Sequence, residues 1–260
     1  MDSGRMPLFD LHGKVAIVTG GNGGIGLGIA RGLAEVGASI CVVGRNSDKI
    51  ASAVSDIEAL GVDAIGVQAD VTDAEQIGQM VTETAERLGG VDILIANAGT
   101  NIRKMPQDYT LSEWHTLIDT NLTSVFVCCQ AVYPHMVARG GGKIVTIGSM
   151  TSIFGFDVGP VYAATKGGIV QLTRSLAVAW ASDNIQVNAI LPGWINTELT
   201  VGGRQRFPQL HDNVLRRTPA ARWGDPEDCA GAAVFLCSSA SSFVTGTALP
   251  VDGGFSISMF

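Results

Sequence analysis

Short, uninterrupted apolar runs alternate with longer stretches whose apolar residues recur every three or four positions, along almost the whole chain. The runs at residues 14–19, 39–43, 63–68, 91–95, 143–147, 185–191 and 248–251 read as strands. After the first comes a helical pattern with Ile29, Leu33 and Val36 on one face, stopped by Gly37. Further helical stretches cover about 47–60, 73–88, 111–137, 160–181 and 226–238. Strands that are apolar on both faces belong to a parallel sheet covered on both sides, and right-handed crossovers then make it doubly wound. The expectation is a single α/β domain, a Rossmann-type seven-stranded parallel sheet with helices on both faces, over residues 11–260 behind a flexible N-terminus at 1–10. One long segment, 194–218, shows no periodicity and carries Gly202, Gly203 and the arginines 204, 206, 216 and 217. A segment of that length is functional or disordered, and beside a ligand site it predicts a substrate lid.

Composition narrows the function classes. With 46% hydrophobic and only 16% charged residues, the chain suits a well-buried protein with large subunit contacts. A net charge of −7 without a lysine or arginine block argues against nucleic acid or an anionic membrane surface as partner. The five cysteines are odd in number and include no Cys-x-x-Cys pair, which predicts small core residues in a reducing, cytoplasmic compartment. Residues 1–10 are charged and lack an apolar core, so they do not form a signal peptide. The uncharged run 120–138 contains Asn121, Gln130, Pro134 and His135, costly in lipid, so it reads as a buried helix. The four histidines are scattered without ligand spacing, and no metal is expected.

Two local patterns carry chemistry. Gly20-Gly21-Asn22-Gly23-Gly24-Ile25-Gly26 follows the first strand at once and opens the first helix. Such a turn lets backbone approach a pyrophosphate, and the helix supplies free amides and the positive end of its dipole. Tyr162 and Lys166, four apart, share a helix face. A phenol titrates near pH ~10, and a lysine cation held close lowers that value toward a useful range for acid–base work. Ser149 ends the 143–147 strand region, at the sheet edge where open α/β sheets bind ligands.

With these in order, the chain from about Leu11 to its end resembles the short-chain dehydrogenase/reductase superfamily. Thr19-Gly20-x-x-x-Gly24-Ile25-Gly26 resembles its cofactor loop, and Asn97-Ala98-Gly99 its second signature. Asn121, Ser149, Tyr162 and Lys166 fall on its catalytic tetrad, and Pro192-Gly193 through Ile195 and Thr197 on its nicotinamide clamp. Val244-Thr245-Gly246 and Val251-Asp252-Gly253-Gly254 look like its C-terminal signature. The departures are Ala96 and Gly148, where the family usually has asparagine and often serine. The resemblance implies hydride transfer between a nicotinamide and a carbonyl/alcohol pair. Tyr162 would be the acid–base group and Ser149 a second donor to the reacting oxygen. Lys166 would lower the tyrosine pKa and hold the ribose, and Asn121 would position a proton-relaying water.

Cofactor and substrate are read from the loops. An acidic side chain after the second strand selects the ribose 2′-hydroxyl of NAD. Here Gly44 is followed by Arg45-Asn46, which leaves room and counter-charge for a 2′-phosphate, so NADP(H) is preferred with NAD(H) possible. Asp70-Val71 matches the family's adenine pocket. Arg103 suits a substrate carboxylate, and equally suits a solvated loop charge. Met150, Ile153, Phe154, Phe156 and Trp194 fit an apolar substrate pocket, or the core. The loop at 100–104, the segment 217–224 and the glycine-rich tail resemble the gluconate 5-dehydrogenase and 2-deoxygluconate 3-dehydrogenase group, which implies a small-molecule sugar acid. A 3-oxoacyl-thioester reductase, a reductase of cyclic or aryl ketones and a silent nucleotide-binding regulator are the alternatives. Helices apolar on more than one side imply a homotetramer, as in the family.

Overall fold

The computed structural model describes residues 7–259. Strands β1 (Val15–Thr19), β2 (Ser39–Gly44), β3 (Ala64–Gln68), β4 (Ile93–Ala96), β5 (Gly142–Ile147), β6 (Ile185–Pro192) and β7 (Ala248–Val251) form one parallel sheet ordered β3-β2-β1-β4-β5-β6-β7. Every pairing in it is parallel, in register from Val15↔Ser39 through Pro192↔Val251. Helices α1 (Gly24–Glu35), α2 (Ser47–Glu58) and α3 (Ala74–Leu88) alternate with the first strands. The doubly wound α/β expectation holds.

Adjacent residues of one strand face opposite layers, which is why the strands are apolar throughout. Val18 packs with Ile29 and Leu33 of α1 on one face, while Ile17 packs with Met80 of α3 on the other. Local chemistry marks the helix ends. Asn46 and Asp73 cap α2 and α3 through their side chains, and Gly89 closes α3 at φ 89°.

Two expectations need correction. The single helix over 111–137 is α4 (Leu111–Ile118), a π turn at Asp119–Thr123, and α5 (Ser124–Ala138). The Ser124 N–H reaches back to Asp119 O, one residue beyond the α-helical partner. The non-periodic segment is not a loop throughout, because it holds α7 (Glu198–Arg206) and α8 (Leu210–Arg217) after α6 (Pro160–Trp180). Neither has a continuous apolar stripe, and both are fixed by contacts from elsewhere. Arg204 lies 4.5 Å over the Trp223 ring, His211 stacks on that indole, and Arg217 lies 4.3 Å over Phe255. Helix α9 (Ala230–Cys237) completes the first layer. At the N-terminus, Pro7–Phe9 forms a turn whose Leu8 carbonyl accepts from Ser239; residues 1–6 of the expected flexible segment lie outside the described residues.

Candidate active site

The strand order reverses direction between β1 and β4, whose last residues, Thr19 and Ala96, are paired. A crevice opens at such a switch point. Asn97 stitches it together: its N–H donates to Thr19 Oγ1 and its side-chain amide to Thr19 O, at 3.0 and 2.9 Å. Above this lies an open cleft of about 530 Å³. Gly20, Asn22, Gly24 and Ile25 line it from the glycine turn, and Asn97, Ala98 and Gly99 from the end of β4. Pro192, Gly193, Ile195 and Thr197 line it from beyond β6. Gly26 lies beneath the turn, not in the cleft. A Cβ there would stand 2.3 Å from Gly20 O, so only glycine lets α1 begin this close to the loop. No side chain caps α1, so its first-turn amides remain available to an anion.

At the far end the cleft is walled by Arg45, Asn46, Asp70 and Val71, as expected, and by Lys49, which the sequence did not single out. The Arg45 side chain is 79% exposed and only 3.8 Å from Asp70, a loose pairing that leaves the guanidinium facing the cleft. Backbone and hydroxyl hydrogen bonds from Thr72 hold the Asp70 carboxyl below the usual carboxylate range. Lys49 Nζ reaches across to Glu198 at 2.8 Å, joining α2 to the start of α7.

The reactive end is carried by the end of β5 and the first turns of α6. Ser149, Tyr162 and Lys166 all line the cleft. The Ser149 N–H donates to Ser152 Oγ, whose hydroxyl donates to Lys166 O at 2.7 Å, so one serine braces the strand end against the helix. That brace was legible in the Ser-x-x-Ser spacing but was not read. Lys166 is 5% exposed, and its Nζ donates to Ile147 O at 2.7 Å, 5.6 Å from the Tyr162 ring centroid.

The electrostatics differ from the sequence expectation. Burial pushes the Tyr162 phenol up, and the groups that oppose this are the Ser149 hydroxyl, by a hydrogen bond, and the Arg103 charge. Desolvation brings the pKa of Lys166 itself down to about 8.

Asn121 is fully buried in the π turn. Its amide pairs both ways with the Thr100 backbone, at 2.8 and 2.9 Å, and reaches Thr165 Oγ1 at 3.4 Å. Its Oδ1 and Lys166 Nζ both face the open side of Gly99. Arg103 stands on the loop after β4 with its guanidinium against Gly203 of α7. Like Arg103 itself, the other substrate expectations fall outside the cleft lining. Met150 packs in a small core cluster with Leu191 and Phe255, against which Trp194 is also packed. Trp194 meets Trp223 edge-on at 5.7 Å, and Phe156 lies over Gly159. Among the described residues no cluster of metal-ligating side chains occurs, and no helix is long and apolar enough to cross a membrane.

Known proteins share both the sequence and this geometry. A family model described as enoyl-(acyl carrier protein) reductase matches residues 20–256. The 2-dehydro-3-deoxy-D-gluconate 5-dehydrogenase of Formosa agariphila is 42% identical over 248 residues, 95% of this chain and 94% of its own. The gluconate 5-dehydrogenase of Gluconobacter oxydans is 42% identical over 255 residues, 97% of this chain and 98% of its own. A crystal structure of a gluconate 5-dehydrogenase from Burkholderia cenocepacia, in complex with NADP and tartrate, is 40% identical with a TM-score of 0.92, covering 97% of this chain and 99% of that one. With matching sequence and fold, this chain belongs to the short-chain dehydrogenase/reductase family of oxidoreductases.

Proposed function

We propose that the protein is an NADP(H)-dependent oxidoreductase that interconverts a carbonyl and a secondary alcohol on a sugar acid or other small polar keto acid. The observation that carries this reading is the convergence of Ser149, Tyr162 and Lys166 in the cleft that begins at the uncapped N-terminus of α1. The residues fit a dinucleotide phosphate. The α1 amides suit its pyrophosphate, and Arg45 with Lys49 suits the 2′-phosphate, where an acidic side chain would have favoured a free hydroxyl. Asp70 and Val71 suit the adenine, and Gly99 with Lys166 the nicotinamide ribose.

When bound, the nicotinamide supplies or accepts the hydride. Tyr162, kept protonated near pH 7 by its burial, donates the proton to the developing alkoxide in reduction, and its phenolate removes that proton in oxidation. Ser149 donates a second hydrogen bond to the same oxygen, a preorganised charge stabiliser. Asn121, facing Gly99 together with Lys166, positions a water that returns protons to the lysine. Arg103 pairs with the substrate carboxylate, and the segment 194–218, with α7 and α8, closes over the substrate as a lid. The relatives named as gluconate dehydrogenases support the substrate class. An acyl-carrier site is less well supported. Of the lid arginines that could form a basic patch for an acyl carrier, Arg204 and Arg217 are drawn onto the Trp223 and Phe255 rings and Arg216 bonds Asn213.

Apolar side chains left exposed at separate places support assembly as a homotetramer: Phe126 on α5 and Val178 on α6, and Phe243 and Ile257 near the C-terminus. Five buried, unpaired cysteines support a cytoplasmic setting. The test is turnover with NAD(H) and NADP(H) on gluconate, 5-ketogluconate, an acetoacetyl thioester and cyclic and aryl ketones, followed by absorbance of the reduced nicotinamide. Sugar-acid turnover with NADP is expected. Activity confined to the thioester or to apolar ketones overturns the substrate class, and NADP binding without turnover of anything overturns catalysis.

A further inference from the structure

Helix α7 contains adjacent glycines, Gly202 and Gly203, in a span of nine residues. Each costs a helix about 1 kcal/mol relative to alanine. Their surroundings differ completely. A Cβ on Gly202 would meet nothing within 4 Å, and Gly202 is exposed. Gly203 is buried, and a Cβ there would stand 2.3 Å from Arg103 Nη1, 3.1 Å from Cζ and 3.2 Å from Nη2. All three neighbours belong to one guanidinium, which therefore lies directly on the α7 backbone.

The loop that carries Arg103 is braced on both sides of it. Thr100 is held by Asn121, the Ile102 carbonyl accepts from Tyr109, and Lys104 pairs with Glu113 at the start of α4. The backbone of residue 103 thus has little room to shift, and the place of the guanidinium is decided by what it lies against. That charge is close enough to the Tyr162 phenol to act on its titration. The same helix lines the cleft at its other end, through Glu198, Leu199 and Thr200.

We infer that Gly203 is a specificity-determining position: its missing Cβ seats the Arg103 guanidinium against α7 as the reader of the substrate carboxylate. The inference rests on the sugar-acid reading above. Gly203 is a positioning residue; it touches neither substrate nor cofactor and acts through Arg103. An alanine there forces the guanidinium out by more than 1 Å, because 2.3 Å must become an ordinary contact. Misplacement on that scale costs a reaction on the order of a hundredfold.

The experiment compares Gly203→Ala, Gly202→Ala, Arg103→Gln and the Gly203→Ala/Arg103→Gln double variant in the full-length enzyme. It reads kcat and KM for 5-ketogluconate, kcat/KM for fructose as a neutral ketose, and NADPH affinity by fluorescence. Both alanines favour the helix equally, so folding does not separate them. Gly203→Ala is expected to raise KM for 5-ketogluconate about ten- to a hundredfold, with kcat/KM for fructose and NADPH affinity within about twofold of wild type. Gly202→Ala should match wild type, and the double variant should lose no more than Arg103→Gln alone. If Arg103→Gln loses the keto acid while Gly203→Ala behaves as Gly202→Ala, the seat is refuted and the carboxylate reading stands. If Arg103→Gln keeps the wild-type ratio of keto acid to fructose, the carboxylate reading fails and this inference falls with it.

Discussion

Replacing Lys166 with methionine should cost activity while leaving the fold at least as stable at neutral pH. In the native chain this ammonium is 5% exposed, and desolvation lowers its pKa from 10.5 to about 8. Below pH 8 both the folded and the unfolded chain carry the charge, and the fold bears the full penalty of holding it. Between about 8 and 10.5 the unfolded chain binds the proton more tightly, so stability rises with pH across that window. At about 1.4 kcal/mol for each pH unit, the penalty at pH 7 is about 3 kcal/mol. The bond to Ile147 O, worth about 1.5–3 kcal/mol for a charged donor, offsets much of the gain from removing the charge. The net expectation for Lys166→Met at pH 7 is therefore a gain of zero to about 2 kcal/mol. The pH dependence is the sharper reading. By pH 9.5 the wild type recovers about 2 kcal/mol that the variant, with no group to titrate there, does not. Urea unfolding of both proteins without cofactor, at pH 7 and pH 9.5, measures the difference. A variant destabilised by the same amount at both pH values would show that Lys166 is not held as a desolvated cation.

Four further outcomes follow from the geometry. Tyr162→Phe should lower turnover by about 10²–10⁴-fold with cofactor affinity, read by nucleotide fluorescence, largely intact; retained activity would sink the acid–base assignment. Because burial raises the phenol's pKa, reduction in the wild type should persist through neutral pH and fall on the alkaline side, while oxidation climbs there, as paired pH–rate profiles would reveal. Arg45→Gln and Lys49→Gln should each weaken NADP(H) about tenfold, the loss of one charged hydrogen bond, and leave NAD(H) unchanged; equal losses for both cofactors would refute the 2′-phosphate reading. Asn121→Ala strands the Thr100 N–H and carbonyl and should cost about 3 kcal/mol, visible as a Tm lower by about 6–12 °C.

What could be read from the chain alone was whatever depends on near neighbours in sequence. Strands apolar on both faces, a glycine turn between strand and helix, and a tyrosine four residues before a lysine are local patterns, and each lies where its period and spacing put it. The π turn was not legible, because one extra residue per turn rotates the apolar face by about 100° without interrupting the apolar run. Its trace in the sequence was only that 111–137 looked apolar on several sides. Helices α7 and α8 escaped for a related reason: what fixes them comes from residues elsewhere in the chain, Trp223 for Arg204 and Phe255 for Arg217. The Tyr162 phenol shows the same limit at the level of charge. Besides its four-residue neighbour Lys166, the phenol feels the Arg103 charge, carried in on the loop after β4. Proximity along a helix pointed to the pair of residues but not to this third charge, because a loop folded over the site brings it from far along the sequence. The proposed substrate reader is built from such distant pieces, Arg103 on the loop after β4 and Gly203 on α7. For that reason selectivity among related carbonyl compounds should change through substitutions in those segments while the Ser149, Tyr162 and Lys166 frame stays fixed.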